Sequence, residues 1–284
     1  MGTYVHAEHE VEPDQLEPGL PDDAQAAWHA QDFLLGGASL DLAFAPTEWL
    51  ALEAQLPLRT ALVLARFEDE ARKELPGFES IHHRTELLAG PGDPRLSMRV
   101  QALRPAGGEG LALSLWGGVT LPVGNIEPDP FALGKKGRTH QHLFFGTGTL
   151  NPSAGLDASW RFTSFRVGGS LSGTVPLYEN AFGYRAPGDY NLSLYGESAF
   201  GLDDVTFRLA PEVHVETPAS WSGREAENSG RVDLILGGGV FHQTAPGLET
   251  YALVKVSAWT FTFGGQLIAP VLFVAGGSFE APLR

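Results

Sequence analysis

Apolar and polar residues alternate along most of this chain. In residues 190–200, Tyr190, Leu192, Leu194, Gly196, Ser198 and Phe200 share one face, and Asn191, Ser193, Tyr195, Glu197 and Ala199 share the other. A Gly201-Leu202-Asp203 turn follows. Residues 205–215 repeat the pattern, with Val205, Phe207, Leu209, Val213 and Val215 against Thr206, Arg208, Glu212 and His214. A period of two marks a strand with two unlike sides. The pattern recurs at 38–44, 50–64, 95–103, 111–121, 155–162, 165–177, 231–240 and 271–279. In residues 250–263 it slips near Ser257, which predicts a bulge. Residues 22–31 read as a short helix.

The connections alternate in length. Short ones near 45–48, 105–108, 163, 201–203 and 244–247 lie between longer ones near 67–84, 122–142, 179–188 and 217–229. Short turns at one end and long loops at the other are the habit of barrels that span a membrane. Eleven strands can be counted from residue 33 onward. Bacterial barrels have an even number, with both termini on the short-turn side. Residues 2–8 therefore supply a further strand, and 9–32 become the first long loop. The expectation is one domain over residues 1–284: an all-β, antiparallel, up-and-down transmembrane barrel of about 12 strands. The acidic segment 1–31 provides its first strand and loop.

A soluble sandwich alternates too, with its apolar faces packed on each other. Three features favour lipid. Residues 50–64 alternate for fifteen positions, whereas a tilted membrane strand needs about 9–11. Aromatic residues gather toward strand ends, at Phe44, Trp49, Trp160, Phe162, Tyr178, Tyr190, Phe200 and Phe263, as interface girdles require. The polar faces of consecutive strands carry opposite full charges, which a closed lumen accommodates. Closure also leaves no unpaired edge in lipid.

Composition narrows the function. The 284 residues include no cysteine, which excludes disulfides, thiolate metal sites and cysteine nucleophiles. A net charge of −15 argues against nucleic acid, whose phosphates call for Lys and Arg. No run reaches the roughly 20 apolar residues of a spanning helix. No signal peptide is visible, so an exported protein would be read here in its mature form.

The inward faces hold the first set of candidate residues. Arg95, Arg99, Arg161, Arg166, Arg208 and Arg231 stand against Glu53, Asp157, Glu212 and Asp233, with His214 among them. They read as a lumen wall that lines the path of a solute or fills a narrow barrel with ion pairs. The second set is metal-binding. His82 and His83 lie in one long loop and His140 and His142 in the next, on the same rim. Imidazoles there suit a divalent copper or zinc ion, and His6 and His9 could add ligands. His214 with Glu212 and Glu216 has the spacing of an acid–base trio on one strand face. Gly237-Gly238-Gly239 sits within a strand, so it is no phosphate loop; it marks a bend or the close approach of bulky neighbours.

Four motifs add a resemblance. They are Gly90-Pro91-Gly92-Asp93-Pro94-Arg95-Leu96, Thr120-Leu121-Pro122-Val123-Gly124, His142-Leu143-Phe144-Phe145-Gly146-Thr147-Gly148, and Val175-Pro176-Leu177-Tyr178-Glu179-Asn180 with Gly183-Tyr184-Arg185. Over about residues 80–280 the chain resembles the outer-membrane transporters grouped with phenol-degradation and hydrocarbon-uptake barrels. The resemblance implies a Gram-negative outer-membrane protein that moves small, often apolar molecules. It implies no catalytic set. The expected role is a passive channel whose partners are membrane lipid and a small-molecule solute, with no cofactor. One alternative is a non-conducting barrel whose His-rich outer loops bind a divalent metal or a protein partner. Another is an outer-membrane hydrolase using His214.

Overall fold

A computed structural model describes residues 1–10, 26–78, 80–81, 83–105, 108–140, 142–264 and 266–281. Its strands are β1 (Gly2–Glu10), β2 (Trp28–Thr47), β3 (Leu50–Glu68), β4 (Glu86–Pro91), β5 (Arg95–Leu103), β6 (Gly110–Thr120), β7 (Asn151–Arg161) and β8 (Phe165–Thr174). They continue as β9 (Tyr184–Arg185), β10 (Asp189–Ser198), β11 (Val205–Glu216), β12 (Ser220–Trp221), β13 (Arg224–Glu225), β14 (Arg231–Ala245), β15 (Leu248–Thr262) and β16 (Val271–Phe279). One short helix, α1 (Pro130–Gly134), lies in the loop between β6 and β7 and is capped by the Asp129 carboxylate.

Antiparallel pairing runs from β1 through β2, β3, β5, β6, β7, β8, β10, β11, β14 and β15 to β16, which returns to β1. These twelve strands close the barrel. β4 and β5 act as one interrupted strand: β4 pairs with Leu58–Val63 of β3 and β5 with Leu50–Gln55. Gly92 bridges the gap by donating its N–H to the Pro57 carbonyl at 2.9 Å. β9, β12 and β13 form a small separate sheet in the loops on the long-loop side.

Side chains follow the alternation. Leu194, Leu209 and Phe273 are 54%, 72% and 61% exposed. Exposed aliphatic or aromatic side chains on each barrel strand leave the outer wall apolar, which water does not tolerate over so large a patch and lipid does. Phe44, Trp49, Trp160, Phe162 and Phe200 sit exposed at the short-turn end, and Tyr178, Tyr190, Trp259 and Phe263 toward the opposite end. The bulge near Ser257 is present: Leu234 faces Trp259 and Ile235 faces Ser257, leaving Ala258 unmatched.

Two local expectations are corrected. Residues 28–31, within the segment read as a helix, are strand: Trp28, His29, Ala30 and Gln31 face Glu68, Phe67, Arg66 and Ala65 of β3. The loop-side ends of β2 and β3 rise beyond the apolar band. There the outer face turns polar, with Asp32 accepting from Tyr4, His6 and Arg66, and the alternation fades. The first connection is accordingly 11–27 rather than 9–32, and residues 11–25 lie outside those described. β4 has no counterpart among the alternating segments, because Gly90-Pro91-Gly92-Asp93-Pro94 reads as a turn.

The barrel is closed unevenly. β2 and β3 pair over most of their 20 and 19 residues, whereas β1 and β16 share one register pair, Gly2 with Phe273. Below that rung, Ala38–Thr47 of β2 pair only with β3, and Val274–Phe279 of β16 pair only with β15, among the described residues.

Candidate functional site: the lumen and its mouth

All eleven residues expected on the lumen wall lie on inward faces. They are organised in clusters. Arg99 is held between two carboxylates, donating Nε–H to Glu53 at 2.5 Å and pairing with Asp157, while its Nη1 also donates to Ser114. Arg95 stacks over the Trp116 ring, 4.8 Å from its centroid. That ring has room because Gly155 faces it; a Cβ at Gly155 would come within 2.5 Å of the indole.

Toward the short-turn end, Arg161, Arg166, Glu197 and Arg208 occupy one rung of the ladder. Glu197 accepts from Arg166 and, at 2.7 Å, from Arg208. Both guanidinia lie beside the Tyr195 ring, and Arg208 also lies over Phe241 at 4.2 Å. One carboxylate faces three guanidinia, so this rung carries a net positive charge. Arg161 makes no ion pair among the described residues.

On β11, Glu212 accepts two hydrogen bonds from Lys255 Nζ, at 2.7 and 2.8 Å. The spacing of Glu212, His214 and Glu216 thus serves ion pairs along the strand and assembles no trio among the described residues. His214 places Nε2 3.0 Å from Asp189 Oδ2 and 4.0 Å from Glu216 Oε1, with Nδ1 3.4 Å from Asp233 Oδ2. Arg231 holds Asp233 through two bonds at 2.7 and 2.9 Å, and Thr260 donates to it at 2.6 Å. Both imidazole nitrogens thus face carboxylates. Among the described contacts His214 meets no hydroxyl, so no nucleophile–base pair is assembled there.

The mouth is narrowed by the loop 121–150. Leu143 packs inside the barrel on Val5, Phe33 and Val63, and Leu267 and Ala269 of the last loop join it. Phe144 meets Tyr184 and Trp221 edge-on, with ring centroids 5.0 and 6.3 Å apart. Burial first, and the Glu216 charge second, push the Tyr184 phenol up to about 12, so it stays neutral in its packed position.

One carboxylate anchors this loop. Asp93 accepts from the backbone N–H groups of Val123, Gly124 and Thr147 and from the Thr147 hydroxyl, at 2.7–3.1 Å. Gly124 and Gly146 cross in contact, where a Cβ on either would overlap the other's backbone. Asn180 donates to the Thr147 carbonyl and accepts from Phe182 and Tyr184. The four motifs that carry the resemblance therefore meet at one place. They hold three loops to the wall rather than forming a catalytic site.

The histidines divide into pairs. His140 and His142 approach with Nε2 atoms 3.2 Å apart, and His83 stacks on His29 at 4.3 Å between centroids. The two pairs share one region, since His140 N–H donates to the Ile81 carbonyl and Arg84 to the His140 carbonyl. His82 lies outside the described residues. His6 turns to the outer face and pairs with Asp32 at 2.8 Å.

Sequence reasoning passed over Asp189, Lys255 and Asp93. Asp189 precedes the outward Tyr190 and could have been placed inward by alternation. Lys255 was obscured by the phase slip, and Asp93 by its turn-like surroundings.

No family model matches this chain, and no curated protein matches it. Among solved structures it is similar to an outer membrane channel from Pseudomonas putida F1. The TM-score is 0.58 at 12% identity, over 97% of this chain and 92% of that one. The likeness is one of fold: a closed antiparallel β-barrel over nearly the whole of both chains.

Proposed function

We propose that this protein is a passive channel of the bacterial outer membrane for small solutes, with a mouth constricted by its own loop 121–150. The observation that carries the reading is the wall itself. Its outer face is apolar, while its inner face keeps charged and polar groups on successive strands, so the interior is a wetted path rather than a packed core. Trp116, Tyr195 and Phe241 beside guanidinia give that path apolar surface as well, which suits small molecules with a ring or short chain. The similarity in fold to an outer membrane channel supports the same role. The test is conductance across a planar bilayer together with liposome swelling in solutes of graded size. Discrete conductance steps and uptake limited to small solutes are expected. A correctly folded barrel that neither conducts nor admits solute would overturn the reading.

One observation favours a second reading, a non-conducting barrel with a metal-binding rim. The 3.2 Å separation of the His140 and His142 Nε2 atoms matches the bite of two imidazoles on one zinc or copper ion. Zinc binding that vanishes in a His140→Ala/His142→Ala variant, with no conductance in the parent, would select it.

A further inference from the structure

We propose that Asp189, His214 and Glu216 form a binding site for a divalent first-row transition metal, zinc being the reference ion, at the outer end of the lumen. The site is separate from the rim histidines, and it does not depend on whether the barrel conducts.

Strand geometry creates it. Asp189 and Glu216 are register partners on β10 and β11, and His214 lies two residues along β11 on the same inward face. One donor atom from each of the three lies within 4.8 Å of the others. Donors that share one ion at about 2.0–2.2 Å from each must lie about 3–4 Å apart, near the separations seen here. Because the three side chains come from the wall of the barrel and not from loops, their spacing is held by the ladder.

The surrounding charges call for a cation. Two carboxylates stand directly opposite each other across a ladder, an arrangement that is destabilising without a counter-charge. Asp233 adds a third carboxylate and Arg231 a single positive charge. With neutral His214 the group carries two negative charges, which one divalent ion balances. Glu212 is not part of this count, being neutralised by Lys255.

Asp233 stands where it can orient the His214 imidazole toward an ion. Without metal, Nε2–H donates to Asp189 Oδ2 at 3.0 Å; with an ion bound, Nδ1 would keep its proton beside Asp233 Oδ2, 3.4 Å away, and Nε2 would turn its lone pair to the ion. Asp233 is itself fixed by Arg231 and Thr260. On binding, the metal takes the place of any proton between Nε2 and Asp189 Oδ2, and that proton leaves to solvent. One nitrogen and two carboxylate donors favour zinc, manganese, cobalt or nickel over calcium, which takes oxygen donors alone. The site faces the lumen, so water or a passing solute completes the coordination.

The test is calorimetric titration of zinc chloride into the detergent-folded full chain, with native folding of each variant checked by gel mobility before and after boiling. A zinc isotherm is expected for the parent. His214→Gln and Glu216→Gln should each weaken this site about tenfold or more, and Asp233→Asn about 10–100-fold through the lost orientation of the imidazole. His140→Ala/His142→Ala should leave the site intact. Three results would overturn the proposal: no zinc binding by the folded parent, an unchanged isotherm in folded His214→Gln, or a loss confined to the rim double variant. Conductance plays no part in the readout, so failure of the channel reading and failure of this one are told apart.

Discussion

Glu197 shows how single residues set the state of the lumen. Its carboxylate is nearly buried and serves both Arg166 and Arg208, while Arg161 stands opposite Arg166 without a carboxylate of its own. Replacing Glu197 by Ala leaves three guanidinia along one rung. A loss of about 3 kcal/mol is expected, as when one member of a largely buried pair is removed. Arg161→Ala should be close to neutral or slightly stabilising, because it relieves a like-charge contact. Urea midpoints of the detergent-folded variants measure both, and equal destabilisation by the two would contradict this account. The lumen residues were legible from the chain because a strand puts every second side chain on one face. Their partners were less so. That Glu212 chooses Lys255 over His214 depends on a bulge in β15 which shifts the register by one residue, and alternation locates such a slip without saying which side chains it brings together.

At the scale of the element, the loop 121–150 is, among the described residues, the one held by the largest set of contacts with a single side chain, Asp93. Its course was not readable from local pattern: the turn motifs at 90–94, 120–124, 142–148 and 175–185 are visible in the chain, but their meeting is a long-range event. What the motifs do is physical. Asp93 takes up four donors that the loop would otherwise leave without partners where it turns into the barrel. Asp93→Ala should free the loop at a cost of about 1–3 kcal/mol for the unmade hydrogen bonds. In bilayers the variant is expected to show larger or noisier conductance than the parent, and trypsin should cut sooner at Lys135 and Lys136. A variant with the parent's conductance and protease resistance would mean that other contacts, such as Leu143 in the inner cluster, suffice to hold the loop.

For the molecule as a whole, fold class and strand number were legible because lipid imposes a single solution on an alternating chain: a closed sheet with its apolar side out. The height of the wall was not. β2 and β3 run 20 and 19 residues against 10 for β8 and β10. Their loop-side ends stand above the apolar band, where polar residues on the outer face and buried ones on the inner face mask the periodicity. That tall side is also where the inner cluster of Val5, Phe33 and Val63 forms.

The single rung between β1 and β16 gives the barrel a weak line. Unfolding should begin there as an unzipping, β16 and β1 parting first while β6, β7 and β8 hold. Hydrogen exchange of the detergent-folded protein would show the order. Amides of Ala38–Thr47 that point away from β3 should exchange early, and those of β7, paired on both sides, late. Assembly in the reverse sense would leave this junction to close last, when β1 and β16 must find each other across a sheet already formed.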